Sequence, residues 1–420
     1  MRKLIGLLSA ALIFLSVFSL KAQDDFLFKP KQVFDGKETH TNWVVAVKGN
    51  RITYVGPKYA GQANEVIELK DQTILPGLIE GHSHILLHPY NEVSWNDQVL
   101  KESVAERSAR AVNHLEVSLM AGITTMRDLG SEGAGYADVG MKQAVDKGVI
   151  PGPRLLVAGK AIVATGSYGP KGFHEGVEVP LGAETADGFD DLISVTREQI
   201  GRGADFIKVY ADYRWGPNGT AEATFTVAEL KTIVEIAESS GRYVVAHASS
   251  EEGMRRAIEA GVETIEHGDA ATPEIFRMMK EKGVAFCATL AAGDAITQYG
   301  GWKRGVDPEP SRIVAKRKSF KMALDSGVKI VFGGDVGVFP HGENVRELEM
   351  MVEYGMNTKA ALGSATSSNA EQFHLSQLGQ IKRGFLADII AVEGDPSKDI
   401  KSLRKVSMVM KDGKVYKNKN

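Results

Sequence analysis

The chain has 420 residues, 43% of them apolar and 25% charged, with 50 Lys+Arg against 53 Asp+Glu for a net charge of −3. That composition belongs to a folded globular protein. It excludes a disordered chain and a multispan membrane protein, and with no dense basic cluster it excludes a nucleic-acid binder. The single cysteine, Cys287, excludes an intrachain disulfide and a cysteine-rich metal site.

Residues 1–22 read as an export signal. Arg2 and Lys3 precede an uncharged run from Leu4 to Leu20, and Lys21-Ala22-Gln23 follows, the order that secretory signals use. An uncleaved membrane anchor is the alternative, because the run sits at the lower limit of a spanning helix. Serines inside the run and acids directly after it favour cleavage. Cleavage takes three of the 50 basic residues and no acid, so the mature chain moves from −3 to −6. The expected location is periplasmic or secreted, with no stable membrane partner after cleavage.

Next in the chain, Trp43–Val47 and Ile52–Val55 flank Gly49-Asn50 and predict a hairpin, since Gly and Asn tolerate the positive φ of a tight turn. Val406–Met410 and Lys414–Tyr416 predict another around Lys411-Asp412-Gly413, and Ala387–Val392 is a third apolar run. Strands at both ends of a larger unit predict a small composite β-sandwich, from residues 23–76 and 366–420.

Between the ends, over 77–365, a helix-like stretch, a glycine and a β-branched run recur. The glycines are Gly122, Gly148, Gly203, Gly241, Gly261, Gly283 and Gly327. Glycine just past a helix accepts a left-handed backbone, and helix–glycine–strand units are the sequence form of an α/β fold with parallel strands. Eight strands are expected: Leu78–Ile85, Ile123–Leu129, Arg154–Ile162, Asp205–Ala211, Tyr243–Ala248, Thr264–His267, Val284–Leu290 and Lys329–Asp335. Eight such units predict a (β/α)8 TIM barrel. A doubly wound open sheet is the alternative, weakened because no Gly-x-Gly-x-x-Gly follows the first strand.

Polar residues at the C-terminal ends of barrel strands face the mouth, where such proteins keep their sites. The first strand ends Gly81-His82-Ser83-His84, and histidines at i and i+2 share one side, within reach of one metal ion. Lys208 lies inside the apolar fourth strand, and His247, His267 and Asp335 close the fifth, sixth and eighth. Each alone has an ordinary structural reading as a hydrogen-bonded or paired core residue. Together they form a candidate ligand set. Arg127-Asp128, ending the second strand, is expected to form an internal ion pair, and Cys287 to be core.

These segments carry a resemblance. Leu75-Pro76-Gly77-Leu78-Ile79-Glu80-Gly81-His82-Ser83-His84, Thr124–Gly130, Ala204–Tyr210, Ile265-Glu266-His267-Gly268 and Gly384–Val392 are similar to the amidohydrolase superfamily, in its imidazolonepropionase-like and prolidase-like branch. The resemblance implies two divalent metal ions, usually zinc. His82, His84 and Asp335 would hold one and His247 and His267 the other, with a carboxylated Lys208 and a hydroxide bridging them. It also implies Asp335 as the general base, taking a proton from the water and passing it to the leaving nitrogen.

Prolidase-like relatives carry Thr-Gly-Gly-His-Gly after the third strand. Here the stretch is Thr165-Gly166-Ser167-Tyr168-Gly169, so a phenol stands where a histidine would contact substrate. Tyr168, Tyr213, Arg214 and His341 are the candidate substrate-binding residues. The expected activity is cleavage of an amide C–N bond in a small peptide or an N-acyl amino acid, with a small molecule or short peptide as partner; a homo-oligomer is compatible with it. A cyclic-amide hydrolase is the alternative, although such relatives use one metal and lack the strand-four lysine. A deaminase fits less well, because His247 is followed by Ala248-Ser249-Ser250 rather than a His-x-x-Glu pattern. A non-catalytic metal- and ligand-binding barrel is the reading from a different class.

Overall fold

The computed structural model describes residues 23–418; the expected export signal lies outside them. Strands from both chain ends share one eight-stranded sheet, in the order Lys414–Asn418, Val406–Lys411, Ile389–Glu393, Ala63–Pro76, Asp24–Phe34, Val44–Lys48, Arg51–Gly56, with Thr39–Thr41 beside Asp24–Phe34. The ends meet where Ile389–Glu393 runs antiparallel to Ala63–Pro76, Ile389 opposite Pro76 and Glu393 opposite Gln72. Alternation along these strands buries Phe28, Val45, Val47, Ile67, Ile74, Ile389, Met408 and Met410 in one cluster. Both expected hairpins form, Val47 facing Ile52 and Lys411 facing Lys414. Their turns touch: a Cβ on Gly413 would lie 1.9 Å from the Gly49 carbonyl oxygen, so only glycine allows this approach.

The middle of the chain is α/β with parallel strands. Leu78–Ser83, Ile123–Asp128 and Arg154–Val157 pair in parallel. So do Ile162–Val163, Ile207–Tyr210, Val244–Ala248, Thr264–His267, Ala285–Cys287 and Ile330–Val331. The Asp205 N–H donates to Val157 O at 2.7 Å and links the two groups. The last strand returns to the first through Gly81 N–H on Phe332 O at 3.0 Å and Asp335 N–H on His82 O at 2.8 Å. Helices Val104–Met120, Gly188–Arg202, Val227–Glu238, Glu251–Ala260, Pro273–Lys282 and Ser311–Ser326 intervene. Thr226 and Glu229 form a reciprocal capping box at the third of these. All seven glycines singled out above have positive φ.

Three local expectations differ. The third strand stops at Val157 rather than running to Ile162, because Gly159 turns at φ 72 and its N–H is captured by Asp138 Oδ2 at 2.7 Å. The seventh stops at Cys287, since Thr289 adopts φ 49 and Leu290 opens a helix. Arg127 pairs with Glu266 at 3.3 Å instead of Asp128, whose Oδ1 accepts from the Ile85 N–H. Among the described residues no helix is long and apolar enough to cross a membrane.

Candidate metal centre and active site

Strand periodicity places His82 and His84 on one side of the first parallel strand, and the last strand brings Asp335 to them. Asp335 Oδ1 lies 3.6 Å from His82 Nε2 and 3.4 Å from His84 Nε2. These three residues, all buried, offer ligand atoms within 4.8 Å of one another. His82 Nε2 and Asp335 Oδ1 are buried without a hydrogen-bond partner, a costly arrangement unless a cation completes it. The imidazole rings form a continuous group: His82 and His267 centroids lie 5.1 Å apart, and His247 and His267 4.6 Å apart.

Three of the four imidazoles have Nδ1 at hydrogen-bond distance from an oxygen outside the cavity. His82 Nδ1 meets Glu266 Oε2 at 2.8 Å, His84 Nδ1 the Gly130 carbonyl at 3.0 Å, and His267 Nδ1 the Thr289 hydroxyl at 2.8 Å. His247 Nε2 lies 3.6 Å from Asp212 Oδ1. The three Nδ1 contacts are the support that metal-ligating histidines need, because they fix the tautomer and leave the Nε2 lone pair for an ion. Burial pushes His82 and His267 well below the ordinary histidine range and His247 down to about 3, so all three rings are neutral. Burial also lowers the Lys208 ammonium, against the pull of Glu266, Asp335 and Glu132, and raises the Asp335 carboxyl to about 6. The donor set fits divalent ions bound by imidazole and carboxylate.

Above this floor lies a cavity of about 840 Å³. His84, His247, His267 and Asp335 open onto it, and Tyr168, Tyr213 and Arg214 line it. His341 does not. It is buried, stacked on His114 at 4.3 Å, with Nε2 on the Leu87 carbonyl at 3.2 Å. Following a strand end closely therefore did not turn its ring toward the cavity.

Glu132 escaped sequence reasoning. It is buried at the cavity wall and accepts from Tyr168 OH at 2.6 Å, Trp95 Nε1 at 2.8 Å and Tyr210 OH at 3.3 Å. Tyr168 thus spends its phenol on a carboxylate that the local sequence does not advertise. Glu80 is another such residue, its carboxylate receiving the N–H groups of His82 at 3.0 Å and Gly334 at 2.8 Å. One backbone signal marks the region: Glu132, His267, Thr289 and Asp335 are non-glycine residues with φ of 48, 75, 49 and 62. Such strained conformations persist where surrounding contacts over-determine them, and they concentrate at functional sites.

Comparison with known proteins agrees with this geometry. Residues 73–416 match the model of the amidohydrolase family. The chain belongs to that family. Within it, ochratoxinase of Aspergillus niger is 31% identical over 378 residues, 82% of this chain and 75% of that protein. A crystal structure of a Xaa-Pro dipeptidase with methionine in its active site is 30% identical, with a TM-score of 0.83 over 94% of this chain and 100% of that one. A prolidase complexed with N-methylphosphonate-L-proline is 28% identical, with a TM-score of 0.80 over 94% of this chain and 99% of that one. This amidohydrolase is a hydrolase acting on carbon–nitrogen bonds.

Proposed function

We propose that this amidohydrolase is an exported enzyme with two divalent ions that cleaves the amide C–N bond of a short peptide or an N-acyl amino acid. One observation carries the reading. Four imidazoles, three of them anchored through Nδ1 from outside the cavity, converge with Asp335 and the buried Lys208 at the floor of a cavity large enough for a dipeptide-sized molecule. In this reading the parallel strands and helices form the (β/α)8 barrel, and the two chain ends its β-sandwich. His82, His84 and Asp335 would hold one ion and His247 and His267 the other, with Lys208, once carboxylated, as the ligand they would share. Carboxylation suits a buried lysine because it exchanges an unwelcome cation for an anionic oxygen ligand. The ions, zinc by the chemistry of the donors, would supply water activation and carbonyl polarisation.

The chain's own residues supply the rest. Asp335 takes a proton from the attacking water on its carboxylate and returns it to the leaving nitrogen. The water oxygen ends on the carbonyl carbon, and the C–N bond breaks. Tyr168, Tyr210, Tyr213 and Trp95 form an aromatic wall about Glu132, and Arg214 offers a guanidinium to a substrate carboxylate. The prolidase and dipeptidase relatives support the peptide reading, and ochratoxinase supports a wider set of amides.

The test uses residues 23–420 with zinc and bicarbonate against a mass-spectrometric panel of dipeptides, N-acyl amino acids and cyclic amides. Cleavage is expected to vanish with a chelator and with Lys208→Ala. Cleavage that survives Lys208→Ala would overturn the bridging lysine, and indifference to chelation would overturn metal dependence.

A further inference from the structure

His267 has φ 75, and its ring is aimed by a partner outside its own strand. Its Nδ1 meets Thr289 Oγ1 at 2.8 Å, while the Thr289 hydroxyl donates to the Ala288 carbonyl at 2.8 Å. With its proton committed, Thr289 accepts from His267 Nδ1–H, and the lone pair is left on Nε2. Thr289 is also the residue before the helix Leu290–Tyr299, where a threonine ordinarily caps the first-turn N–H groups. Here it gives the helix no side-chain cap.

The cap comes from elsewhere. Glu347, on the helix Val345–Glu353, accepts from Leu290 N–H on Oε1 at 3.0 Å and from Ala291 N–H on Oε2 at 2.6 Å. Its side chain is fully buried and does not line the cavity. Both carboxylate oxygens are used on this one helix start. Thr289 directly precedes those N–H groups, and side-chain oxygens of threonine compete readily for such donors when no other acceptor holds them.

We propose that Glu347 is a positioning residue for the second ion's site: it caps the helix Leu290–Tyr299 from outside, which frees Thr289 to hold His267 with Nε2 facing the ion. The inference rests on the two-ion reading above. It gives a role to a carboxylate buried away from the cavity.

The experiment compares wild type with Glu347→Gln, Thr289→Val, their double variant, and Glu349→Gln. The last is a control on the same helix, whose carboxylate pairs with Arg404 Nε at 2.6 Å. Nitrogen-15 histidine spectra of the metal-free protein read the His267 tautomer, and zinc-buffered titration reads the two ions separately. Glu347→Gln presents one donor to two N–H groups, so it should lose the Nδ1–H tautomer. Its second-ion dissociation constant should rise about 10–100-fold, as for other outer supports of metal ligands, with the first ion unchanged. The double variant should bind no more weakly than Thr289→Val, and Glu349→Gln should match wild type. Retention of both tautomer and affinity in Glu347→Gln would overturn the proposal. So would loss of both ions in step with the melting temperature of the metal-free protein. A wild type that binds a single ion would overturn the two-ion reading alone, and the tautomer spectra would still decide the role of Glu347.

Discussion

Glu266→Gln makes a severe test of the site's electrostatics. The Glu266 carboxylate is fully buried between three donors: His82 Nδ1 at 2.8 Å, Arg127 Nη2 at 3.3 Å and the Thr264 hydroxyl. Arg127 is equally buried, with its guanidinium 3.8 Å from the Phe373 ring centroid and Nε on the Gly81 carbonyl at 2.8 Å. A carboxamide matches the shape of Glu266 but has one acceptor and one donor. Turned one way, its NH₂ confronts His82 Nδ1 and drives the imidazole to the tautomer that protonates Nε2. Turned the other way, its NH₂ confronts the Arg127 guanidinium. Removing one partner of a buried pair costs about 3–5 kcal/mol. The lower end is expected here, because the amide oxygen still accepts one bond. Loss of the His82 support should also weaken metal binding about 10–100-fold, or about 1.4–2.8 kcal/mol. Urea unfolding of the metal-free protein measures the first quantity, and zinc competition the second. A variant as stable as wild type, with unchanged affinity, would refute the assignment of Glu266 as the shared anchor of Arg127 and His82.

Two further perturbations probe groups away from the ligands. Burial pushes the Asp138 carboxyl from 3.8 up to about 6, although it accepts from Gly159 N–H. A raised carboxyl stabilises the fold fully below its unfolded pKa and loses that contribution as pH rises through the folded value, here between about pH 4 and 6. Asp138→Asn, which cannot ionise, should therefore gain on wild type by up to about 3 kcal/mol between pH 4 and pH 8; a constant difference in unfolding free energy across that range would count against it. Tyr168→Phe removes a phenol donating to Glu132 at 2.6 Å. It should destabilise by about 1.5–3 kcal/mol, the worth of a hydrogen bond to a charged group, and thermal unfolding with no measurable change would mean that the bond contributes nothing.

Much of this protein follows from periodicity and punctuation. Histidines two apart on a strand must share a side, so the pairing of His82 with His84 was legible without coordinates. Glycines after helices marked where strands begin, and the turns at Gly49 and Gly413 marked the hairpins, because those backbone states depend on the residue itself. Direction was not legible. His341 follows a strand end as closely as a ligand would, yet its ring stacks on His114, since packing from another helix decides where a side chain turns.

The contacts that prepare the site were also beyond reach of the sequence. Glu266 supports His82 from 184 residues away and Asn344 reaches Glu80 across 264, at 2.8 Å in each case. Buried carboxylates carry no local signature, because what makes them tolerable is the donor that the fold brings to them. The sequence by itself determined which chemistry the strands could present. Only the tertiary structure decided which nitrogen of each histidine faces inward, because that choice belongs to partners such as Thr289, Gly130 and Glu266, joined to the ligands through space.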